Sequence, residues 1–324
     1  MESSNVPSLY LEAVQPYRLN SLTEINLDDL VSSFGWEHRP GLARILRRTF
    51  VGPARNFAQV MLDFDDDIGV NGLADAARVM LRKYIRDVRV FSNPSTGSPV
   101  PAALAQAGRR PLPAGPFLAL SNHPGMADTL ALFSALDRPD LKIVAIDRPF
   151  LKSLTNISQR LLYVTEDPSA RMSLVRQVSG HLRSGGAVLT FPAGEIEPDP
   201  NVYTGALDAL NRWTDSVGVF VRMAPETAIL PVLVRGVIWD RTARLLLLRL
   251  KKTREEREKL AASFQLLAHL SINSKLLDIT VQIGKPITIA ELGSKDTQVI
   301  HQAVLAEMKR LIENPPEGPG ESAI

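Results

Sequence analysis

Two residues whose types can move a proton stand five positions apart, His123 and Asp128. A neutral imidazole is a suitable general base near pH 7. A carboxylate on its other ring nitrogen fixes the tautomer and stabilises the imidazolium that forms. Such a pair can take the proton of an alcohol as its oxygen attacks a carbonyl. No serine nucleophile is needed when the substrate brings its own hydroxyl. In one continuous helix the two side chains would point about 140° apart and would not meet. They meet if His123 sits in a turn and Asp128 lies in the first turn of the helix that follows. Pro124-Gly125 supplies such a turn. The apolar run 117–121 just before it reads as a strand, and the C-terminal edge of a strand is where open α/β sheets place ligands. The same two residues are also compatible with a hydrogen-bonded turn histidine and a helix N-terminal acid favoured by the dipole.

The elements that would hold this pair follow from the rhythm of the chain. Residues 1–25 show no clear period and read as loose, and residues 26–90 read as helical. Leu73, Ala76, Ala77, Met80 and Tyr84 recur at helical spacing, with Asn71 as the expected N-cap. Separate helices are expected at 42–48 and 53–66. Residues 93–116 are rich in proline and glycine and read as a boundary. Beyond it, strand-length apolar runs at 117–121, 142–146, 161–165, 187–191 and 229–234 follow one another. Helical patterns at 129–136, 151–159 and 170–183 separate the first four. Further strands are expected at 244–250 and 279–283, with helices at 255–270 and 297–312. The alternation predicts an α/β fold: a mostly parallel central sheet flanked by helices, with a helical N-terminal region. The expected organisation is a helical region over 1–92, an α/β domain over 93–312 and a disordered tail over 313–324.

Composition narrows the function classes. The 324 residues are 45% hydrophobic and 22% charged, which is globular rather than disordered. Lysine and arginine number 37 against 35 acids, a net charge of +2. That balance is too even to point to a nucleic-acid partner on electrostatics alone. The absence of cysteine excludes disulfides, thiol zinc sites and cysteine nucleophiles. There is no G-x-S-x-G elbow, no phosphate-binding glycine loop and no H-E-x-x-H pair. The most apolar stretch, 217–239, is interrupted by Arg222, Glu226 and Arg235, so a conventional membrane span is not expected. Arg44, Arg47 and Arg48, with Arg109-Arg110, read either as a solvated face or as a contact for anionic lipid headgroups.

The segment Asn122-His123-Pro124-Gly125-Met126-Ala127-Asp128 resembles the N-H-x-x-x-x-D motif of the glycerol-3-phosphate and lysophospholipid acyltransferase superfamily. A bare H-x-x-x-x-D is a weak signal; the ordered set behind it is stronger. Ala145-Ile146-Asp147-Arg148 resembles the family's second motif. Phe191-Pro192-Ala193-Gly194-Glu195 resembles the third, Ile229-Leu230-Pro231-Val232 the fourth, and Gly284-Lys285-Pro286-Ile287 a common closing stretch. The resemblance covers roughly residues 105–290.

The resemblance implies transfer of an acyl group from acyl-CoA or acyl-carrier protein to a hydroxyl of a lysophospholipid, glycerol-3-phosphate or related lysolipid. His123 would be the general base and Asp128 its orienting partner. Asn122, Arg148, Phe191, Pro192, Gly194, Glu195 and Pro231 would bind substrate, with Arg148 on the acceptor's anionic head group and Pro231 in the wall of the thioester site. No cofactor, metal or covalent enzyme intermediate is implied, the thioester being a co-substrate. A cytoplasmic location is implied, with peripheral contact at the inner face of an anionic membrane left open. The third motif departs from the usual F-P-E-G-T-R: Ala193 replaces the glutamate and Ile196 the arginine. Its F-P-A-G-E form is similar to the ornithine-lipid and hemolysin-like subgroup, and Glu195 would then take over acceptor binding. Two other readings stay open: a lipid- or carrier-binding protein on the same scaffold without transfer, and a thioesterase.

Overall fold

The computed structural model describes residues 8–92, 112–165, 167–238 and 277–324. The expected strand at 244–250 and helix at 255–270 lie outside them. The chain forms two compact units. One holds the residues up to Val70 together with Asp147–Gln159; the other holds Asn71–Ile146 and Arg160–Ile324.

The first unit is helical. Helix α1 (Ser8–Ser33) occupies residues expected to be loose at their start, and α2 (Pro40–Asn71) runs unbroken through Pro53. Separate helices at 42–48 and 53–66 are expected there, and an interior proline costs a helix one hydrogen bond. The buried row Leu46, Ala58, Leu62, Asp65 and Ile68 instead carries one helical face across the proline, so packing overrides the local penalty. The carboxylate of Asp65 has no exposure and accepts the backbone N–H of Asn156 at 2.9 Å and of Ile157 at 2.8 Å, while Arg18 approaches it at 3.3 Å. This ties α2 to the short helices α5 (Pro149–Lys152) and α6 (Thr155–Ser158), which replace the single helix expected at 151–159. Phe57 stacks on Phe150 with ring centroids 5.5 Å apart.

The second unit is built on an eight-stranded, mostly parallel sheet. In chain order its elements are α3 (Leu73–Tyr84), β1 (Asp87–Ser92), β2 (Phe117–Ser121), α4 (Met126–Leu136), β3 (Lys142–Ile146), β4 (Leu161–Val164), α7 (Pro168–Arg183) and β5 (Ala187–Thr190). They continue with α8 (Ala206–Ala209), α9 (Ser216–Met223), β6 (Ala228–Arg235), β7 (Asp278–Ile283), α10 (Ile289–Leu292), α11 (Thr297–Glu313) and β8 (Glu321–Ser322). The strand order is β4-β3-β5-β2-β6-β7-β1-β8. The five strands from β4 to β6 are parallel; β7 is antiparallel to β6, β1 is parallel to β7, and β8 is antiparallel to β1.

Leu118, Leu120, Val188, Ile229 and Leu233 form one core with Val178 and Leu182 of α7, Val217 and Val221 of α9, and Ile300, Val304 and Met308 of α11. Alternation sends Phe117 and Ala119 of β2 to the opposite face. Helix α4 connects β2 to β3 and packs against α3; its Ala131, Leu132, Phe133, Ala135 and Leu136 are all buried, as a helix covered on both sides requires.

Two features depart from the expected organisation. β1 lies inside the region expected to be wholly helical and joins the main sheet beside β7. The tail expected to be disordered is ordered: Ala323 donates to Val88 O at 2.8 Å, is only 5% exposed, and accepts from Ser134 Oγ. Few apolar residues mark this segment; its pairing is backbone hydrogen bonding along an otherwise open strand edge.

Candidate active site

The site lies where the sheet's connections diverge. β2 and β5 are neighbours, but β2 leads towards β3 on one side of it and β5 leads towards β6 on the other. Right-handed crossovers in opposite directions lie on opposite faces, so the C-terminal ends of β2 and β5 form a switch point, where open α/β sheets place ligands. The chain leaving β2 carries His123, and the chain leaving β5 carries Phe191 to Glu197.

His123 lies in the turn before α4, and Asp128 is the third residue of that helix. This is the turn-then-helix arrangement their spacing requires. The Nδ1–H of His123 donates to Asp128 Oδ2 at 2.8 Å. The same oxygen accepts the backbone N–H of Gly125, the helix N-cap, at 3.0 Å, and Oδ1 accepts from Thr129 Oγ1 at 2.9 Å. Asp128 therefore caps its own helix while holding the imidazole. Its side chain has no exposure, whereas that of His123 retains 27%. The His123 ring lies 4.7 Å from the ring of Phe191, tilted by 37°. Burial pulls the imidazole pKa down, but the charge and hydrogen bond of Asp128, with the charge of Glu197, outweigh it and leave the pKa above its ordinary value. With Nδ1 engaged, Nε2 is the nitrogen left to exchange a proton with a substrate.

Two further carboxylates hold the loops around this pair. Glu197 is buried and accepts the backbone N–H of His123 at 3.1 Å and the indole N–H of Trp213 at 2.8 Å. Its own N–H donates back to His123 O at 2.9 Å. Burial pushes its pKa up to about 7, against the pull of those two donors and the charges of His123 and Arg212. Asp199 has no exposure and accepts four backbone N–H groups: Asn201 at 3.0 Å, Gly236 at 3.0 Å, Val237 at 2.7 Å and Ile238 at 2.9 Å. Residues 236–238 follow β6 and back onto the histidine turn. A Cβ on Gly125 would lie 3.2 Å from Val237 Cγ1, so glycine permits that approach.

The other expected site residues fall into distinct settings. Asn122 is buried with its amide engaged like a strand residue: Nδ2 donates to Val234 O at 2.9 Å and Oδ1 accepts from Val234 N at 2.8 Å. It fastens the end of β2 to β6. Pro192 is buried and Gly194 is exposed, with φ +67° in the turn that Gly194 N closes on Phe191 O. Glu195 pairs with Arg212 at 2.9 Å. Pro231 is buried in the central strand β6, opposite Leu120 of β2. Its carbonyl accepts from Gly284 N at 2.8 Å; its missing donor thus faces β7, where the ladder is interrupted between Ile283 and Ile287. That interruption is why a proline is tolerated in a central strand. Arg148 is exposed and is the N-cap of α5 in the first unit.

Residues 104–235 match the family model described as acyltransferase. This stretch is similar to acyltransferase domains. The His123–Asp128 pair, the 191–195 turn and Pro231 all fall within it. Among solved structures, the chain is similar to the 1-acyl-sn-glycerophosphate (LPA) acyltransferase PlsC from Thermotoga maritima, at 16% identity over 92% of this chain and 97% of that chain, with a TM-score of 0.38. No curated protein gives a significant sequence match.

Glu197 and Asp199 are not among the site residues expected from the sequence of the matched stretch. Glu197-Pro198-Asp199 places two acids either side of a proline in the loop after β5, and acids in such a loop are ordinary in a sequence. One reaches the histidine turn and the other the loop after β6.

Proposed function

We propose that the protein moves an acyl group from a thioester, acyl-CoA or acyl-carrier protein, to a hydroxyl of a lysophospholipid, glycerol-3-phosphate or related lysolipid. The observation that carries this reading is the 2.8 Å bond between His123 and Asp128 at the C-terminal edge of the sheet, inside the matched stretch. His123 Nε2 takes the acceptor's hydroxyl proton as the oxygen attacks the thioester carbonyl. Asp128 stabilises the imidazolium through Nδ1. Collapse of the tetrahedral intermediate breaks the carbon–sulfur bond. The thiol departs with the proton held by His123, and the ester remains. The enzyme ends each cycle in its starting protonation state, with no covalent intermediate.

Acceptor recognition is assigned to the 191–195 turn and to Arg148. Glu195, which pairs with Arg212 at 2.9 Å, takes over acceptor binding in the place of the usual third-motif residues, and Arg148→Ala should raise KM for anionic acceptors alone. Among the described residues, no helix is long and apolar enough to cross a membrane. An acyl-lipid product still calls for a lipid surface, so we assign peripheral contact with the inner face of an anionic membrane.

The test is thiol release from long-chain acyl-CoA and acyl-carrier protein. Lysophospholipids, glycerol-3-phosphate and a lyso-ornithine lipid serve as acceptors, and His123→Ala as the control. Acceptor-dependent release lost in the variant is the expected result. Equal release without acceptor, with free fatty acid formed, would make the protein a thioesterase instead. Near-normal rates in folded His123→Ala would remove the mechanism.

A further inference from the structure

Glu197 is the buried acid outside the His123–Asp128 pair that touches the histidine turn. Its carboxylate and its backbone N–H grip the two sides of the His123 peptide, at 3.1 and 2.9 Å. Its other oxygen is held by Trp213 Nε1 at 2.8 Å. Trp213 is itself buried and belongs to the main core. A continuous path therefore runs from the core, through the indole and the carboxyl group, to the backbone of the proposed base. The imidazole is meanwhile held at Nδ1 by Asp128 and flanked by Phe191.

We propose that Glu197 is a positioning residue that fixes the His123 turn through its backbone and, by its charge, favours the protonated imidazole that acyl transfer must pass through. The inference rests on the reading of His123 as the base. Glu197 makes no hydrogen bond to the ring, so it acts on the reaction through His123. The charged and titratable groups facing it are His123, Asp128 behind the ring, and Arg212, which is paired with Glu195. Burial pushes its carboxyl pKa up to about 7, and the imidazole beside it also has its pKa raised above the ordinary value by Asp128 and by Glu197 itself. Two interacting groups of this kind release their protons as a pair rather than one by one.

A simple Glu197→Gln change leaves one of two N–H donors facing an amide N–H₂. Glu197→Gln combined with Trp213→Phe removes that conflict, since the single amide oxygen can then accept His123 N–H. Trp213→Phe alone is the structural control. The measurement is the titration of the His123 ring by NMR in histidine-labelled protein, assigned by loss of the signal in His123→Asn. In the wild type the resonance should titrate in two steps. In the double variant it should titrate in one, with the midpoint lower by about one pH unit. Trp213→Phe alone should retain two steps. The acid limb of kcat/KM should move down in parallel, with KM for the thioester little changed.

A single-step wild-type titration, or a midpoint in the double variant within 0.2 of the wild type, would overturn the inference. The wild-type titration decides this even where a variant does not fold. Failure of acyl transfer itself would show as no acceptor-dependent thiol release in the wild type, a separate readout from the NMR.

Discussion

Replacing Asp128 by asparagine isolates the charge of that residue from its geometry. The carboxylate accepts His123 Nδ1–H and Gly125 N–H on Oδ2 and Thr129 Oγ1–H on Oδ1. An asparagine in the same rotamer keeps an oxygen facing His123 and Gly125, and turns its N–H₂ to the threonine hydroxyl, which can accept. Every contact has a partner, so the fold and the helix cap should survive. What disappears is the negative charge beside an imidazole that becomes positive during attack. Two unit charges about 4 Å apart at an effective dielectric of about 20 interact by about 4 kcal/mol. With half to all of the imidazolium charge developed at the transition state, about 2–4 kcal/mol is lost, roughly a 30- to 1000-fold fall in kcat/KM. The pH profile gives an independent sign. Burial lowers the His123 pKa and Asp128 is the leading influence raising it. Without the charge, the acid limb should move to lower pH while the plateau falls. The assay is acceptor-dependent thiol release across pH 5–9, with thermal unfolding recorded beside it. A folded variant within about fivefold of wild type, or an acid limb that stays in place, would refute the reasoning.

Other perturbations follow from the same contacts. Asp199→Ala should cost roughly 3 kcal/mol of stability in chemical denaturation and lower activity, because it leaves four backbone N–H groups without their acceptor. A loss below about 1 kcal/mol would show that the loop after β6 does not depend on it. Gly236→Ala places a Cβ 2.5 Å from Asp278 O at φ +78° and should cost roughly 2–4 kcal/mol; unchanged denaturation would contradict that geometry. Removing the last four residues opens the edge of β1 and takes away the Ala323 contacts to Val88, Arg78 and Ser134, which should lower Tm by several degrees at about 2–4 °C per kcal/mol. Stability should also fall as pH rises towards 7. Glu197 and His123 both have folded pKa values above their ordinary ones, so the folded state binds the extra protons. That contribution is full below about pH 4.5 and lost through about pH 7 for Glu197. Glu197→Gln should flatten the window in urea titrations at a series of pH values.

The sheet was legible from the sequence because strand-length apolar runs recur between helical patterns, and buried parallel strands read as such runs. All five strands from β2 to β6 lie within one residue of their expected ends, β6 being longer by one residue at each end. The less legible elements had weaker periodicity. β1 hid among helices because Asp87, Arg89 and Ser92 leave Val88 and Val90 as its buried apolar residues. β8 is two polar residues held through the backbone. The gap between the helices expected at 42–48 and 53–66 is closed by the packed face of α2, which runs through Pro53. At the site, the His123–Asp128 contact followed from the turn at Pro124-Gly125. Glu197 carried no such cue: an acid after a strand end is ordinary, and its burial depends on Trp213, sixteen positions away.

The three carboxylates explain how loops at a sheet edge become rigid enough for proton transfer. Beyond the last ladder bond, a chain has backbone N–H groups with no strand to accept them. Here Asp128 accepts that of Gly125, Glu197 that of His123, and Asp199 those of residues 236–238. The loop after β6 then lies against Gly125, which closes a circuit from the histidine turn through the 197–199 segment and back. Because Glu197 and Asp199 are two residues apart in one loop segment, movement of either loop is transmitted to the other. Loss of Asp199 should therefore disturb the His123 ring across two loops, seen as a changed His123 resonance in an otherwise folded protein. Loss of Glu195, whose carboxylate pairs with Arg212, should leave that resonance in place and alter acceptor use alone.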